Sequence, residues 1–273
     1  MNVYEYMSVA ENEKPLERIV TDGGFCAIFR TIACIGDSLS SGEFESITPD
    51  GTKRYHDFYE YSWGQFIGRS CGSKVYNFSQ GGMTAKTYME VFADNKGFWG
   101  TDKLAQAYII ALGVNDVTKH LNGEIELGAL EDIDLSNYQN NAKTFIGYYA
   151  QIVQRVKQLQ PRAKIFLVSP PQNGNVQDVR TQKYKIVRDL LQGLTTVFQD
   201  VYLLDMFQYA PIQNQEFMDT FWLGHMTPTG YVLAARMIES YIDYIIRKNP
   251  KDFNQVGFIG TDLYYTPKGN EKR

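Results

Sequence analysis

Five short apolar runs, each followed by a turn-forming or polar residue, limit most strongly what this chain can fold into. Runs of four to six residues are too short for most helices and are typical of strands buried on both faces of a sheet. Longer segments with apolar residues at helical spacing separate them. Strands that alternate with helices predict right-handed βαβ units and one three-layer α/β domain. The five runs are 31–35, 74–78, 107–112, 164–168 and 201–204.

The composition is that of an ordinary globular protein and narrows the possible partners. The 273 residues contain no repeat or flexible linker, so we predict a single domain over 1–273, with a lead-in segment at 1–23 and a C-terminal strap or tail at 251–273. The net charge of −4, with no block of Lys or Arg, argues against nucleic acid. The chain shows no signal peptide and no run of membrane-spanning length. We therefore expect a cytoplasmic protein that binds no membrane.

The stretch between the first two strands is predicted to begin with a loop and to continue into a helix. Ser40 to Arg54 is polar and contains Gly42 and Pro49, which is typical of a loop. Asp57 is the expected N-cap of a helix that continues through Arg69. Earlier in the chain, 25–29 is apolar enough to form a short strand before the main one.

Four positions lie just beyond a predicted strand or just before the last helix: Ser38, Gly82, Asn115 and His225. The carboxyl ends of parallel strands meet at one edge of a sheet, which is where ligands bind. There Ser38 would attack a carbonyl and His225 would take its proton. The N–H groups of Ser38 and Gly82, with the Asn115 amide, would bind the developing oxyanion. Taken alone, Ser38 could equally be a simple helix N-cap.

These positions carry a resemblance to a known family. Gly36-Asp37-Ser38-Leu39, Gly82, the block 113–116 and His225 together resemble the four sequence blocks of the SGNH (GDSL-type) hydrolases, in the same order. The resemblance implies a flavodoxin-like α/β/α fold with about five strands. It also implies hydrolysis of esters, commonly O-acetyl groups on sugars, lipid esters or thioesters, without a metal or other cofactor.

The resemblance assigns a role to each matching position. It implies Ser38 as nucleophile, His225 as base, and Gly82 and Asn115 as oxyanion donors. Gly81 competes with Gly82 for its role, and we prefer Gly82 because the sequence that follows it is closer to the family's block.

One position departs from the family's pattern. The family places an Asp three residues before the catalytic His, and here that position is Trp222. The missing group would accept a hydrogen bond from Nδ1 and hold the ring in place. We therefore predict a Ser38–His225 dyad in which the main-chain carbonyl of Trp222 orients the ring. Asp219 is the alternative, if its loop folds back.

The predicted activity is that of a serine esterase that hydrolyses small acyl esters, most simply O-acetyl groups on a carbohydrate, through an acyl-Ser38 intermediate. Tyr55, Trp63 and Trp99 are candidate substrate contacts, although aromatic residues are more often part of a core. Two alternatives stay open: an O-acyltransferase that uses the same residues, and a catalytically silent carbohydrate-binding protein. The expected partner is a small-molecule or carbohydrate ester, and association into a homo-oligomer also stays open.

Overall fold

A computed structural model describes residues 3–7 and 10–257 of the chain. Most of the predicted strands form where the apolar runs lie, and two further pairs of short strands lie outside them. The strands are β1 (Thr31–Gly36), β2 (Glu43–Ile47), β3 (Lys53–Asp57), β4 (Lys74–Ser79), β5 (Ala107–Ala111), β6 (Lys164–Val168), β7 (Val201–Leu204), β8 (Trp222–Leu223) and β9 (His225–Met226).

The central sheet is parallel and five-stranded, with the order β4-β1-β5-β6-β7. Counting only these five strands along the chain, the order is 2-1-3-4-5, which is the flavodoxin-like arrangement. The chain leaves β1 towards one side of the sheet and later returns to its other side at β5. The carboxyl end of β1 therefore lies at a topological switch point, where such folds bind ligands. The prediction of a three-layer α/β/α fold is confirmed.

Helices cover both faces of the sheet, and most begin at a side-chain cap. Thr144, Asp178 and Thr227, for example, accept a hydrogen bond from an N–H of the first turn. The helices are α1 (Ser38–Ser41), α2 (Trp63–Cys71), α3 (Ala85–Thr87), α4 (Ala93–Asn95), α5 (Val114–Leu121), α6 (Phe145–Leu159), α7 (Val179–Val197), α8 (Met206–Tyr209), α9 (Gln215–Phe221) and α10 (Pro228–Lys248).

Alternate residues of the central strands enter two separate hydrophobic cores. On β1, Ala33 and Ile35 belong to the core under α6 and α7, whereas Ile32 and Cys34 belong to the core under α2 and α10. Side chains on successive strand residues point to opposite faces, so a strand buried on both faces must be apolar throughout. This explains the continuous apolar runs of the sequence.

The structure differs from the prediction in the region around β1. Residues Gly24–Ile28 form a 3₁₀-helix rather than a strand. The polar segment predicted as a loop contains β2 and the first two residues of β3, and these two strands pair as an antiparallel hairpin. Asp57 ends β3, and helix α2 begins only at Trp63, with Ser62 as its N-cap. The first part of the helix predicted after Asp57 is instead a 3₁₀ turn at Tyr59–Tyr61.

At the other end of the chain, Pro250–Phe253 form a 3₁₀ turn, and Phe253 packs into the core under α10. The rest of the predicted C-terminal strap, from 258 to 273, lies outside the described residues. Over the part of the chain that is described, no helix is long and apolar enough to cross a membrane.

Candidate active site

Strand β1 delivers Ser38 to the carboxyl edge of the sheet. The strand ends at Gly36, and the Asp37 carboxylate accepts a hydrogen bond from Leu39 N at 3.1 Å, which caps α1. Ser38 is the first residue of this helix and is partly exposed. A helix N-terminus presents free N–H groups and favours negative charge. Ser38 therefore combines a hydroxyl with a backbone donor at the same point.

A cavity of about 800 Å³ opens over this edge. It brings together all four of the positions that the sequence analysis singled out, although they are far apart along the chain. The cavity is lined by Ser38, Glu43, Tyr55, Asp57, Asn77, Ser79, Gln80, Gly81, Gly82, Phe92, Lys96, Phe98, Asn115 and His225.

Two backbone N–H groups at this cavity are free to bind an anion. Neither Ser38 N nor Gly82 N donates a hydrogen bond within the described residues. Gly82 has a left-handed φ of 71°, which favours glycine, and no atom lies within 4 Å of the position of an added Cβ. At Gly81, by contrast, an added Cβ would lie only 2.1 Å from Glu43 Oε2. The backbone at Gly82 is thus the more open of the two.

The Asn115 amide lies between two acceptors at the same edge. Its Nδ2 donates to Asp37 Oδ2 at 3.3 Å and to the Met83 carbonyl at 3.2 Å. Both amide hydrogens are therefore engaged, and the side chain ties the turn after β1 to the turn after β4. A donor role towards an oxyanion would require one of these hydrogen bonds to be exchanged, and it stays a prediction.

Two buried carboxyls, Asp37 and Asp116, support the strand ends. They are 3% and 0% exposed, and burial raises the pKa of each to about 7. Asp116 Oδ1 accepts a hydrogen bond from Ala85 N at 2.9 Å, and its Oδ2 has no partner among the described residues. A protonated Asp116 is favoured because a charge here would be poorly compensated.

This burial predicts a pH dependence of stability. Folded Asp116 keeps its proton up to a pKa of about 7, against an ordinary value of 3.8. Unfolding therefore releases a proton between these values, and the free energy of unfolding falls as the pH rises. Between pH 5 and pH 7 we expect Asp116 to cost the wild type about 2–3 kcal/mol, and Asp116→Asn should remove this loss.

Urea unfolding of the wild type and of Asp116→Asn at pH 5 and pH 7 measures this change in the free energy of unfolding. The exposed Asp94 supplies the control variant Asp94→Asn, which should follow the wild type at both pH values. An equal stability difference between wild type and Asp116→Asn at the two pH values would contradict the assignment.

His225 is held between two carboxylates of the β2–β3 hairpin. Its Nδ1 forms a hydrogen bond with Glu45 Oε1 at 3.0 Å, and its Nε2 lies 3.1 Å from Glu43 Oε1. The Tyr55 ring meets the imidazole edge-on, with 5.9 Å between ring centroids. No hydrogen bond joins Ser38 Oγ to the ring within the described residues, although both line the cavity.

Neither of the two groups predicted to orient His225 lies at Nδ1. Trp222 pairs with Met226 across the β8–β9 hairpin, so the Trp222 backbone is part of this two-stranded sheet. Asp219 is exposed, and its Oδ1 accepts a hydrogen bond from Gln215 Nε2 at 2.7 Å. The residue that contacts Nδ1 is Glu45, which lies in the segment predicted as a loop.

The two hairpin carboxylates differ in their surroundings. Glu45 Oε2 also pairs with Lys53 Nζ at 3.0 Å, and this hydrogen bond holds the pKa of Glu45 below its usual value. Burial raises the pKa of Glu43, while the nearby His225 opposes that change. No motif in the sequence pointed to either residue. The one available signal was the alternation of Glu43, Phe44 and Glu45, which places both carboxylates on the same face of a strand.

Of the three aromatic side chains predicted to contact substrate, only Tyr55 lines the cavity, and it is 55% exposed. Trp63 is 2% exposed, belongs to the core under α2 and α10 and does not line this cavity. Trp99 packs edge-on against Tyr88 at 5.9 Å and is not part of the cavity wall. Phe98, next to it, stacks on a core phenylalanine and lines the cavity instead.

Comparison with known proteins gives a family match and a set of similar folds. The family model for GDSL-like lipase/acylhydrolase matches residues 32–238. That range begins within β1 and ends within α10, so it includes all the positions described above. No curated protein matches the sequence.

Several solved structures share the fold at low sequence identity. A family two carbohydrate esterase from Clostridium thermocellum, in complex with cellohexaose, is 17% identical, with a TM-score of 0.53 over 88% of this chain and 66% of that one. A family 2 carbohydrate esterase from Corynascus thermopiles, which carries an additional carbohydrate-binding domain, is 14% identical, with a TM-score of 0.53 over 80% and 66%. A protein from Lactobacillus plantarum is 16% identical, with a TM-score of 0.56 over 79% and 97%. This chain thus spans about two thirds of the length of the two esterases.

Proposed function

Because the chain belongs to the GDSL-like lipase/acylhydrolase family, we propose that it is a serine esterase that removes small acyl groups, in the first place acetyl groups, from a carbohydrate. The observation that carries the proposal is the common cavity of Ser38 and His225, with two unengaged N–H groups beside them. A hydroxyl, an imidazole and free donors around one carbonyl-sized space are the parts that acyl transfer requires.

In the first half of the proposed reaction, Ser38 Oγ attacks the carbonyl carbon of the ester, and its proton passes to His225 Nε2. The oxyanion that forms is bound by the N–H groups of Ser38 and Gly82. The bond from the carbonyl carbon to the alcohol oxygen then breaks. The proton on Nε2 goes to this oxygen, which leaves an acyl-Ser38 ester and a free alcohol.

In the second half, water attacks the acyl-Ser38 carbonyl and gives a proton to Nε2. Collapse of this second tetrahedral intermediate releases the acid, and the proton returns to Ser38 Oγ. Both halves require Nε2 to face Ser38 rather than Glu43, which contacts it at 3.1 Å. The Glu43 side chain therefore turns away when the hydrogen bond between Ser38 and His225 forms.

The lining of the cavity favours a polar substrate over a long acyl chain. Glu43, Asp57, Asn77 and Gln80 offer hydrogen-bonding groups of the kind that bind sugar hydroxyls. The exposed ring of Tyr55 offers a face on which a sugar can stack. The two carbohydrate esterases that share the fold support the same substrate class by analogy only.

A panel of esters tests this proposal. We expect p-nitrophenyl acetate to be hydrolysed faster than the butyrate and octanoate, and acetate to be released from acetylated cello- and xylo-oligosaccharides. A preference for the octanoate would reject the substrate class. If none of these esters reacted, the esterase assignment itself would be wrong.

Asn115→Ala tests the predicted amide donor. If Asn115 exchanges a hydrogen bond and binds the oxyanion, kcat should fall by about 10²–10³-fold, while KM for p-nitrophenyl acetate stays nearly constant. Asn122, exposed near the end of the same helix, supplies the control variant Asn122→Ala, which should retain full activity. A lower unfolding temperature with unchanged kcat would show that Asn115 only ties the two turns together.

A further inference from the structure

The β2–β3 hairpin presents one polar face to the candidate active site. Glu43 pairs with Asp57 and Glu45 pairs with Tyr55 across the antiparallel ladder. Directly opposed residues, and residues two apart on one strand, lie on the same face of a hairpin. Four side chains of the hairpin thus share one face, and three of them, those of Glu43, Glu45 and Tyr55, contact the His225 ring.

The opposite face fixes the hairpin to the body of the protein. Phe44 packs against Phe58, Tyr61 and Tyr231, with ring centroids 5.4–5.9 Å apart. The fully buried Tyr231 of α10 also donates its hydroxyl hydrogen bond to the Glu43 carbonyl at 2.7 Å. Helix α10 follows directly after β9, which carries His225. The hairpin and the histidine are therefore anchored to the same helix.

Glu45 is itself held on both sides. Its Oε1 accepts the hydrogen bond from His225 Nδ1, and its Oε2 pairs with Lys53 Nζ, while its side chain is only 11% exposed. At Gly224, which has a φ of 76°, an added Cβ would lie 2.3 Å from Glu45 Oε2. Because residue 224 is a glycine, the Glu45 carboxylate has room to lie beside His225.

From these contacts we propose that Glu45 is the positioning residue that orients His225 for proton transfer. Glu45 would take the role of the Asp that the family places three residues before the catalytic His, a position that Trp222 occupies here. A carboxylate on Nδ1 fixes the tautomer with its free lone pair on Nε2 and stabilises the imidazolium that forms when Ser38 loses its proton. This inference rests on the proposed function, because it assumes that His225 is the base.

Glu45→Gln is the variant that tests the proposal. Glutamine keeps the size of the side chain and removes its charge, so it neither stabilises the imidazolium nor enforces the tautomer. We expect kcat for p-nitrophenyl acetate to fall by about 10²–10⁴-fold. Glu45 does not line the cavity, so KM should change little. The rise of activity with pH should also move to lower pH, because the imidazolium loses the negative charge that stabilises it.

Two further variants separate positioning from folding. Glu45→Asp keeps the charge on a side chain one methylene shorter, and its kcat should lie between those of Glu45→Gln and the wild type. Asp219→Asn removes an exposed carboxylate that is nearer to His225 in sequence, and it should behave as wild type. Thermal unfolding of all three shows whether a loss of activity follows a loss of structure.

The outcomes distinguish this inference from the proposed function. If Ser38→Ala is inactive and Glu45→Gln retains wild-type kcat and pH profile, the positioning role is wrong and the esterase proposal survives. If Asp219→Asn loses activity and Glu45→Gln does not, the alternative from the sequence analysis is correct. If Ser38→Ala retains activity, the proposed function is wrong, and the inference about Glu45, which rests on it, is rejected as well.

Discussion

Ser38→Ala is expected to lower kcat for p-nitrophenyl acetate by about 10⁴–10⁶-fold, because no other group in the proposed mechanism can form the acyl intermediate. The Ser38 hydroxyl makes no hydrogen bond to another described residue, so its removal should leave the free energy of unfolding within about 0.5 kcal/mol of the wild type. Initial rates at saturating ester, with urea unfolding in parallel, measure both quantities.

The chain provides a matched control for this variant. Ser46, near the end of β2, is exposed, and its Oγ is 2.8 Å from His56 Nε2. This Ser–His pair lies outside the cavity and beside neither of the free N–H groups. Ser46→Ala should therefore hydrolyse the ester at the wild-type rate. Loss of activity in Ser46→Ala, with Ser38→Ala unaffected, would show that Ser46 rather than Ser38 is the nucleophile.

His225→Ala has the second largest expected effect, a reduction of kcat by about 10³–10⁵-fold, because Ser38 would then have no base. The two glutamates that face the ring would lose their partner, so the variant also has to be checked for folding by circular dichroism. His225→Gln retains a hydrogen-bonding group towards Glu45 and should be equally inactive. Steady-state rates at pH 8, with and without added imidazole, provide the measurement.

Added imidazole should restore part of the activity of His225→Ala, since it can enter the vacated space and accept the proton. The other two histidines serve as controls. His56 is exposed on the hairpin, and His120 Nδ1 forms a hydrogen bond with the Ile125 carbonyl at 3.0 Å. His56→Ala and His120→Ala should keep wild-type rates. If His225→Ala were as active as these two variants, His225 could not be the base.

The central sheet could be predicted because its strands are buried on both faces. Such strands must be apolar throughout, and β1, β5 and β6 are therefore visible in the sequence as uninterrupted runs. The position of the turn residues after each run then predicts which side chains reach the carboxyl edge. This reasoning places Ser38, Gly82 and Asn115 at one cavity, where the structure also has them.

The β2–β3 hairpin could not be predicted, and the carboxylate at Nδ1 could not be predicted with it. Every residue of β3 is exposed, so this strand shows none of the apolar alternation by which strands are recognised. Glu45 and His225 are 180 residues apart in sequence, and their contact depends on how α10 holds both elements. Trp222 and Asp219, which lie close to His225 in sequence, give no indication of this contact.

The aromatic residues show the same limit of sequence reasoning. Trp63 and Tyr55 are eight residues apart and equally suited to bind a sugar by composition alone. One is buried in the core, and the other is 55% exposed at the cavity. The difference arises because α2 begins at Trp63 and packs it under the sheet, whereas Tyr55 lies on the polar face of the hairpin.

Covalent labelling with a fluorophosphonate, followed by mass spectrometry of the digested protein, shows directly whether Ser38 is the nucleophile. Ser38 Oγ would displace fluoride and form a stable bond to phosphorus. We expect one adduct, on the peptide that contains Ser38, with slower labelling in His225→Ala and none in Ser38→Ala. An adduct on the Ser46 peptide, or continued ester hydrolysis by fully treated but unlabelled protein, would contradict this expectation.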